Sequence, residues 1–306
     1  MFTFKIQQFL LAEVVIYLII GFGLWYFLAL SVGTTLLLVL GIALGFRVFI
    51  VVATFFIGWL YRSQPTADLQ INLLQTLKMM LSEWWALLVL FVTAFPFEAW
   101  LKLRNPDLMD DPKHVPVLLI HGFFCNGAYW LPMKRYLQKQ GLTHIFTLNL
   151  EPVFADINQF AQQVAEKVSE IRAITGAEKV ILVGHSMGGL VSRAYLYQLG
   201  GHAFVEKLIT LGSPHQGTVL ANLIGGMNVK QMRPHNAWLE ALAQLETQQT
   251  TVPTTCIYSY HDNFIAPQES ARLEYAKNIP LASIGHIEMT FSKRLQTLVY
   301  EEIIHI

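Results

Sequence analysis

Val180-Ile181-Leu182-Val183-Gly184-His185-Ser186-Met187-Gly188-Gly189-Leu190 is the stretch whose reading decides the fold. Its four leading aliphatic residues read as a buried strand, and 187–199 reads as a helix. Between them Ser186 stands on a turn with glycines two positions before and two after it. A serine pushed out on so sharp a strand-to-helix turn has a strained backbone and crowded neighbours, and glycine meets that demand. The helix behind it points its first amides to where negative charge would develop. Alone, Gly-x-Ser-x-Gly is a common accident, and a plain strand–helix turn is the bland alternative. Its setting gives it weight.

Working outward, short apolar runs alternate with helical patterns. Residues 115–120, 145–150, 207–211 and 255–260 read as strands, and 289–304 as a closing helix. A helix carries Ile157, Phe160, Ala161, Val164, Ala165, Val168 and Ile171 on one face. Asp156 can cap it, Gln159 stands at the capping-box position, and Gly176 can end it. Strands alternating with crossover helices imply an α/β fold with a mainly parallel sheet covered on both faces. Between 219 and 252, Leu220, Leu223, Ile224, Met227, Met232, Trp238, Leu239 and Leu242 are interleaved with polar residues. That segment fits a cap over a pocket, and ordinary core helices explain it nearly as well.

Of the 306 residues, 54% are hydrophobic and 14% charged, with 21 basic and 21 acidic residues. Zero net charge and no basic block exclude nucleic acid as a partner, because phosphate binding needs concentrated positive charge. The apolar excess lies at the front. Glu13 is the one charged residue in 9–30 and Arg47 the one in 39–60, and each stretch reaches the roughly 20 residues that span a bilayer. They read as a hairpin of two membrane spans rather than as a cleaved leader. Arg47 would cost about 3 kcal/mol at mid-membrane, so it is expected nearer the end of a shifted span. Leu69, Leu73, Leu77, Met80 and Trp84 make 68–81 amphipathic, and 84–100 is a short third apolar segment. The chain thus divides into a membrane-anchoring helical region over 1–103 with two or three spans, a polar linker over 104–113, and an α/β domain over 114–306. Cys125 and Cys256 are expected as buried thiols, since no disulfide framework is visible.

Three further stretches carry a resemblance. His121-Gly122-Phe123-Phe124-Cys125-Asn126-Gly127 after a strand, the Gly184–Leu190 run with Arg193 behind it, and Thr210-Leu211-Gly212-Ser213-Pro214-His215-Gln216-Gly217-Thr218 resemble bacterial triacylglycerol lipases and esterases. The resemblance covers 114–306 and implies the α/β-hydrolase fold with Ser186 as nucleophile. It puts the oxyanion donors on the backbone amides of Phe123 and Met187, with Phe124 the alternative to Phe123. Losing one such donor typically costs about 3–4 kcal/mol of barrier. In this fold the base lies in the loop before the last helix, after the acid in chain order, which selects His286 and Asp262. Glu269 and Glu288 compete with Asp262. His185 is expected to point away, His121 to support its loop, and His215 to take no part as base.

The reading is a membrane-anchored serine carboxylic-ester hydrolase, a lipase or esterase acting on lipid-like esters through an acyl-enzyme. An acyltransferase or thioesterase would use the same groups, and a silent hydrolase fold serving as a membrane scaffold is the reading from another class. No cofactor and no metal are expected. The expected partners are the lipid bilayer and a hydrophobic ester. The expected location is a bacterial inner membrane. If 84–100 crosses, the catalytic domain is periplasmic, which is the side favoured; otherwise it is cytosolic.

Overall fold

The computed structural model describes residues 2–101, 115–249 and 252–305; the linker expected over 104–113 lies outside them. Six strands form one parallel sheet: β1 (Val117–Ile120), β2 (Ile145–Leu148), β3 (Val180–His185), β4 (Val205–Leu211), β5 (Thr254–Ser259) and β6 (Lys277–Leu281), in the order β2-β1-β3-β4-β5-β6. Alternation along β1 shows how both faces are covered. Leu118 and Ile120 join Phe160, Val164 and Leu190 on one side, while Val117 and Leu119 join Met133, Leu137, Leu295 and Val299 on the other.

The helix expected after β2 spans Ile157–Thr175. Asp156 caps it by accepting from the Asn158 amide, and Gly176 ends it in the left-handed conformation. The expected capping box with Gln159 is not formed, and Gln231 of a distant helical turn supports this helix end instead. The Gln231 carboxamide accepts from the Ile157 amide and donates to Asp156, at 2.9 Å each. The segment 219–252 divides in two. Leu220, Ala221, Leu223, Ile224, Val229 and Met232 line a cavity, Ala221, Val229 and Met232 also joining the core, whereas Leu239 and Leu242 enter the core without lining the cavity.

In front of this domain stand α1 (Phe2–Phe27), α2 (Val32–Leu60) and α3 (Leu73–Leu88), the last continuing as a π-helical turn over Val89–Ala94. All three are long and apolar enough to cross a membrane. Both α1 and α2 start earlier than expected, and the amphipathic and third apolar segments are one helix rather than two. Arg47 lies near the middle of α2, not near its end. Its guanidinium is paired across the hairpin with both carboxylate oxygens of Glu13, at 2.7 and 2.8 Å. Mutual neutralisation removes the need to reach an interface.

These helices are not tethered at a distance. Phe2, Ile6, Leu90 and Phe95 share one core with Ala128, Tyr129 and Trp130. The Asn263 side chain donates to Thr54 Oγ1 at 2.9 Å, and a Cβ on Gly58 would lie 3.3 Å from the Asn263 Cα. α3 meets the α/β domain at both ends. Before it, Leu69 packs among Tyr258, Tyr260 and Ile265; beyond it, the Phe95 carbonyl accepts from Asn126 at 3.1 Å.

Candidate active site

Ser186 is held at φ 54° and ψ −124°, just before the helix Met187–Gln198, and its amide donates to the Leu211 carbonyl at 2.9 Å. A non-glycine residue in that region is strained, and it persists because the surroundings impose it. The flanking glycines show the imposition. A Cβ on Gly184 would lie 2.6 Å from the Gly188 carbonyl carbon, and one on Gly188 would run into the Ile120 carbonyl oxygen. Gly122 presses on the serine from the other side, where a Cβ would come within 2.8 Å of the Ser186 Cβ.

Of the two expected oxyanion donors, Met187 opens the helix Met187–Gln198, so its amide lacks an intrahelical acceptor. Phe123 follows Gly122 and lines the cavity next to Ser186. Phe124, the alternative, has a left-handed φ of 55°, which bends the loop sharply. His121 holds that loop from below. Its Nε2 accepts from the Leu150 amide at 3.0 Å, so its Nδ1–H donates to the Gly122 carbonyl at 2.8 Å. Burial pushes its pKa down to about 4, which keeps this neutral tautomer in place.

His286 Nδ1 donates to Asp262 Oδ2 at 2.8 Å, both groups buried. The other carboxylate oxygen accepts from the Phe264 and Ile265 amides at 2.8 and 2.9 Å. This leaves His286 Nε2 with its lone pair free to take a proton. Both Ser186 and His286 line a cavity of about 560 Å³. The two competing acids are engaged elsewhere: Glu288 accepts from the Gly285 amide at 2.6 Å and Glu269 from Tyr260 at 2.9 Å. His215 faces Arg193 and Thr210, at 3.3 and 3.0 Å. Burial, and then the Arg193 charge, hold its pKa well below the usual histidine range. Arg193 itself forms a buried bidentate pair with Glu246, at 2.6 and 2.8 Å. Cys125 and Cys256 are free and buried.

Three supports of the His286 loop were not read from the sequence. His185 does not point away: its ring stacks on Tyr129 at 4.3 Å and its Nε2 bonds the His286 carbonyl at 3.2 Å. Asn263 accepts from the His286 amide at 3.0 Å while donating to Thr54 of α2. Glu83 of α3 accepts from the Ile287 and Glu288 amides, at 2.9 Å each. The available signal was Glu83 itself, an acid at the boundary of an apolar run.

A parallel sheet with this serine turn after its third strand is the α/β-hydrolase fold, with apolar N-terminal helices in front. A family model described as palmitoyl protein thioesterase matches residues 116–261. Triacylglycerol lipases of Pseudarthrobacter phenanthrenivorans and Burkholderia plantarii are each 31% identical over 177 residues, 49% of this chain, and 53% and 48% of their own length. The chain therefore spans about half the length of these curated relatives. The crystal structure of Bacillus licheniformis lipase BlEst2 in mature form superposes with a TM-score of 0.57 at 21% identity, covering 65% of this chain and 96% of that one. Over its α/β domain the chain is thus similar in sequence to triacylglycerol lipases and a thioesterase family, and in fold to a bacterial lipase.

Proposed function

We propose that the chain is a membrane-anchored serine carboxylic-ester hydrolase acting on lipid-like esters. The observation that carries the reading is the 2.8 Å hydrogen bond from His286 to Asp262, with His286 and the strained Ser186 lining one apolar cavity. Ser186 Oγ attacks the ester carbonyl carbon as its proton passes to His286 Nε2. Asp262 fixes the ring and stabilises the imidazolium, and the Phe123 and Met187 amides receive the oxyanion. Collapse of the tetrahedral species breaks the ester C–O bond, and His286 returns the proton to the leaving alcohol. Water, activated by the same histidine, then releases the acid and restores the serine.

The test is fluorophosphonate labelling of the full chain in detergent, with Ser186→Ala as control. The expected result is a single adduct on Ser186 and loss of ester hydrolysis by at least about 10⁴-fold in the variant. A folded protein without an adduct would favour the scaffold reading instead. The match to a thioesterase family model favours one second reading, a thioester as acyl donor. Turnover of acyl thioesters well above that of oxygen esters of equal chain length would establish it.

For orientation, the leaning to the periplasmic side rested on a third crossing. α3 keeps both its ends against the α/β domain, which favours a two-span hairpin with that domain on the side of Lys5, Arg62 and Lys78. These charges mark the cytoplasmic side. Because both native cysteines are buried, a cysteine introduced at exposed Lys139 reports the side. Resistance to an impermeant maleimide in intact cells is expected, and labelling there would return the domain to the outer face.

A further inference from the structure

The cavity at Ser186 is built only in part by the α/β domain. One wall is a stripe of α2, Phe46, Ile50, Thr54 and Ile57, and α1 adds Ile6, Phe9, Leu10 and Glu13. Thr54 marks the inner end, one hydrogen bond from Asn263 and so two from the His286 amide. Phe46 lies two turns away, about 12 Å along the helix. At that outer end the lining becomes exposed: Phe9 by 56%, Phe46 by 48%, Leu223 by 67% and Ile224 by 44%. Ser186 and His286, by contrast, are buried.

The four exposed rim residues are apolar, and the surface of α1 and α2 beyond them exposes Leu11, Val14, Phe49 and Val52 as well. The charged groups in the wall do not offer a headgroup site, because Glu13 and Arg47 occupy each other. Arg47 spends a further donor on the Ala43 carbonyl at 3.0 Å. What such a wall receives is hydrocarbon. Its volume of about 560 Å³ falls within the range of small-molecule sites, roughly 300–1,000 Å³.

We propose that α1 and α2 form an acyl-chain site that opens sideways into the bilayer, so that the substrate is an acyl ester resident in the membrane. Its chain enters between Phe9 and Phe46 on one side and Leu223 and Ile224 on the other, and lies along α2 with the ester at Ser186. The anchor is then half of the substrate site. This inference rests on Ser186 being the nucleophile.

The test uses the full chain in phosphatidylcholine vesicles and a long-chain alkyl fluorophosphonate bearing a terminal diazirine. After attachment and photolysis, mapped crosslinks are expected within 6–13 and 46–57. Crosslinks confined to 219–232 or to other parts of the α/β domain would overturn the acyl site while leaving the hydrolase reading intact. Failure to label Ser186 at all would remove both. As a second measurement, Ile50→Trp should lower the ratio of long-chain to short-chain ester turnover about tenfold or more, because several methylenes lose their burial. An unchanged ratio in a folded variant would overturn the site. The crosslink in the natural sequence decides the matter if that variant does not fold.

Discussion

At the scale of single residues, Glu83 is the group whose removal is most informative. Its carboxylate holds two adjacent amides in the loop that carries His286. Glu83→Ala leaves both amides buried without acceptors, at a stability cost of about 1–3 kcal/mol each. Glu83→Gln keeps one carbonyl oxygen and should lie between. Misplacing a base by about 1 Å can cost a factor of 10², so kcat should fall by about tenfold to a hundredfold with KM little changed. The fluorophosphonate labelling rate of Ser186 should fall in parallel, which separates a positioning role from a loss of folded protein. A labelling rate equal to the natural protein's would contradict this. The sequence made Ser186 legible through its glycines, and Asp262 and His286 through their order along the chain. Glu83 was illegible because 204 residues separate it from its nearest partner amide, and no local pattern encodes such a pairing.

At the scale of elements, the closing helix Lys293–Ile304 is tied to three strands by one side chain. Glu302 accepts from Thr255 at 2.8 Å, Lys207 at 2.8 Å and Lys277 at 2.5 Å. Burial raises its pKa, but these hydrogen bonds outweigh it and hold the carboxyl at about 2. A carboxyl depressed in the folded state stabilises above its unfolded pKa, and that stability drains away as pH falls towards the folded value. Thermal unfolding should therefore show Tm dropping between pH 5 and pH 2.5 by more in the natural chain than in Glu302→Gln. Parallel curves would refute the assignment. Most strands were legible from their aliphatic runs, but β6 was not. Its Lys277-Asn278-Ile279-Pro280-Leu281 sequence contains a proline, which an edge strand tolerates and a central strand does not. α3 was read as two segments because its buried stripe, Met79, Glu83, Ala86 and Leu87, includes an acid that reads as solvent-facing.

At the scale of the whole molecule, composition separated the apolar front from the α/β back, and that division hides how the two are joined. Phe2 meets Phe124 edge-to-face at 5.2 Å, and Phe95 closes on Phe2 at 6.1 Å. A protease site introduced within 104–113 should yield two fragments that stay together through affinity purification in mild detergent and retain hydrolysis. Separation of the fragments with activity kept by residues 114–306 alone would show instead that the front is a dispensable tether.

The shared core has a consequence for biosynthesis. The front helices are made before the α/β domain, yet Phe2, Ile6 and Phe95 complete their packing only after residues 124–130 have been made, and Glu83 waits for the loop at 287–288. A chain that misses insertion offers its sheet no partner for that face and its histidine loop no acceptor. Under the proposed function, hydrolytic competence would then arrive last, only in molecules whose front helices are already packed in place.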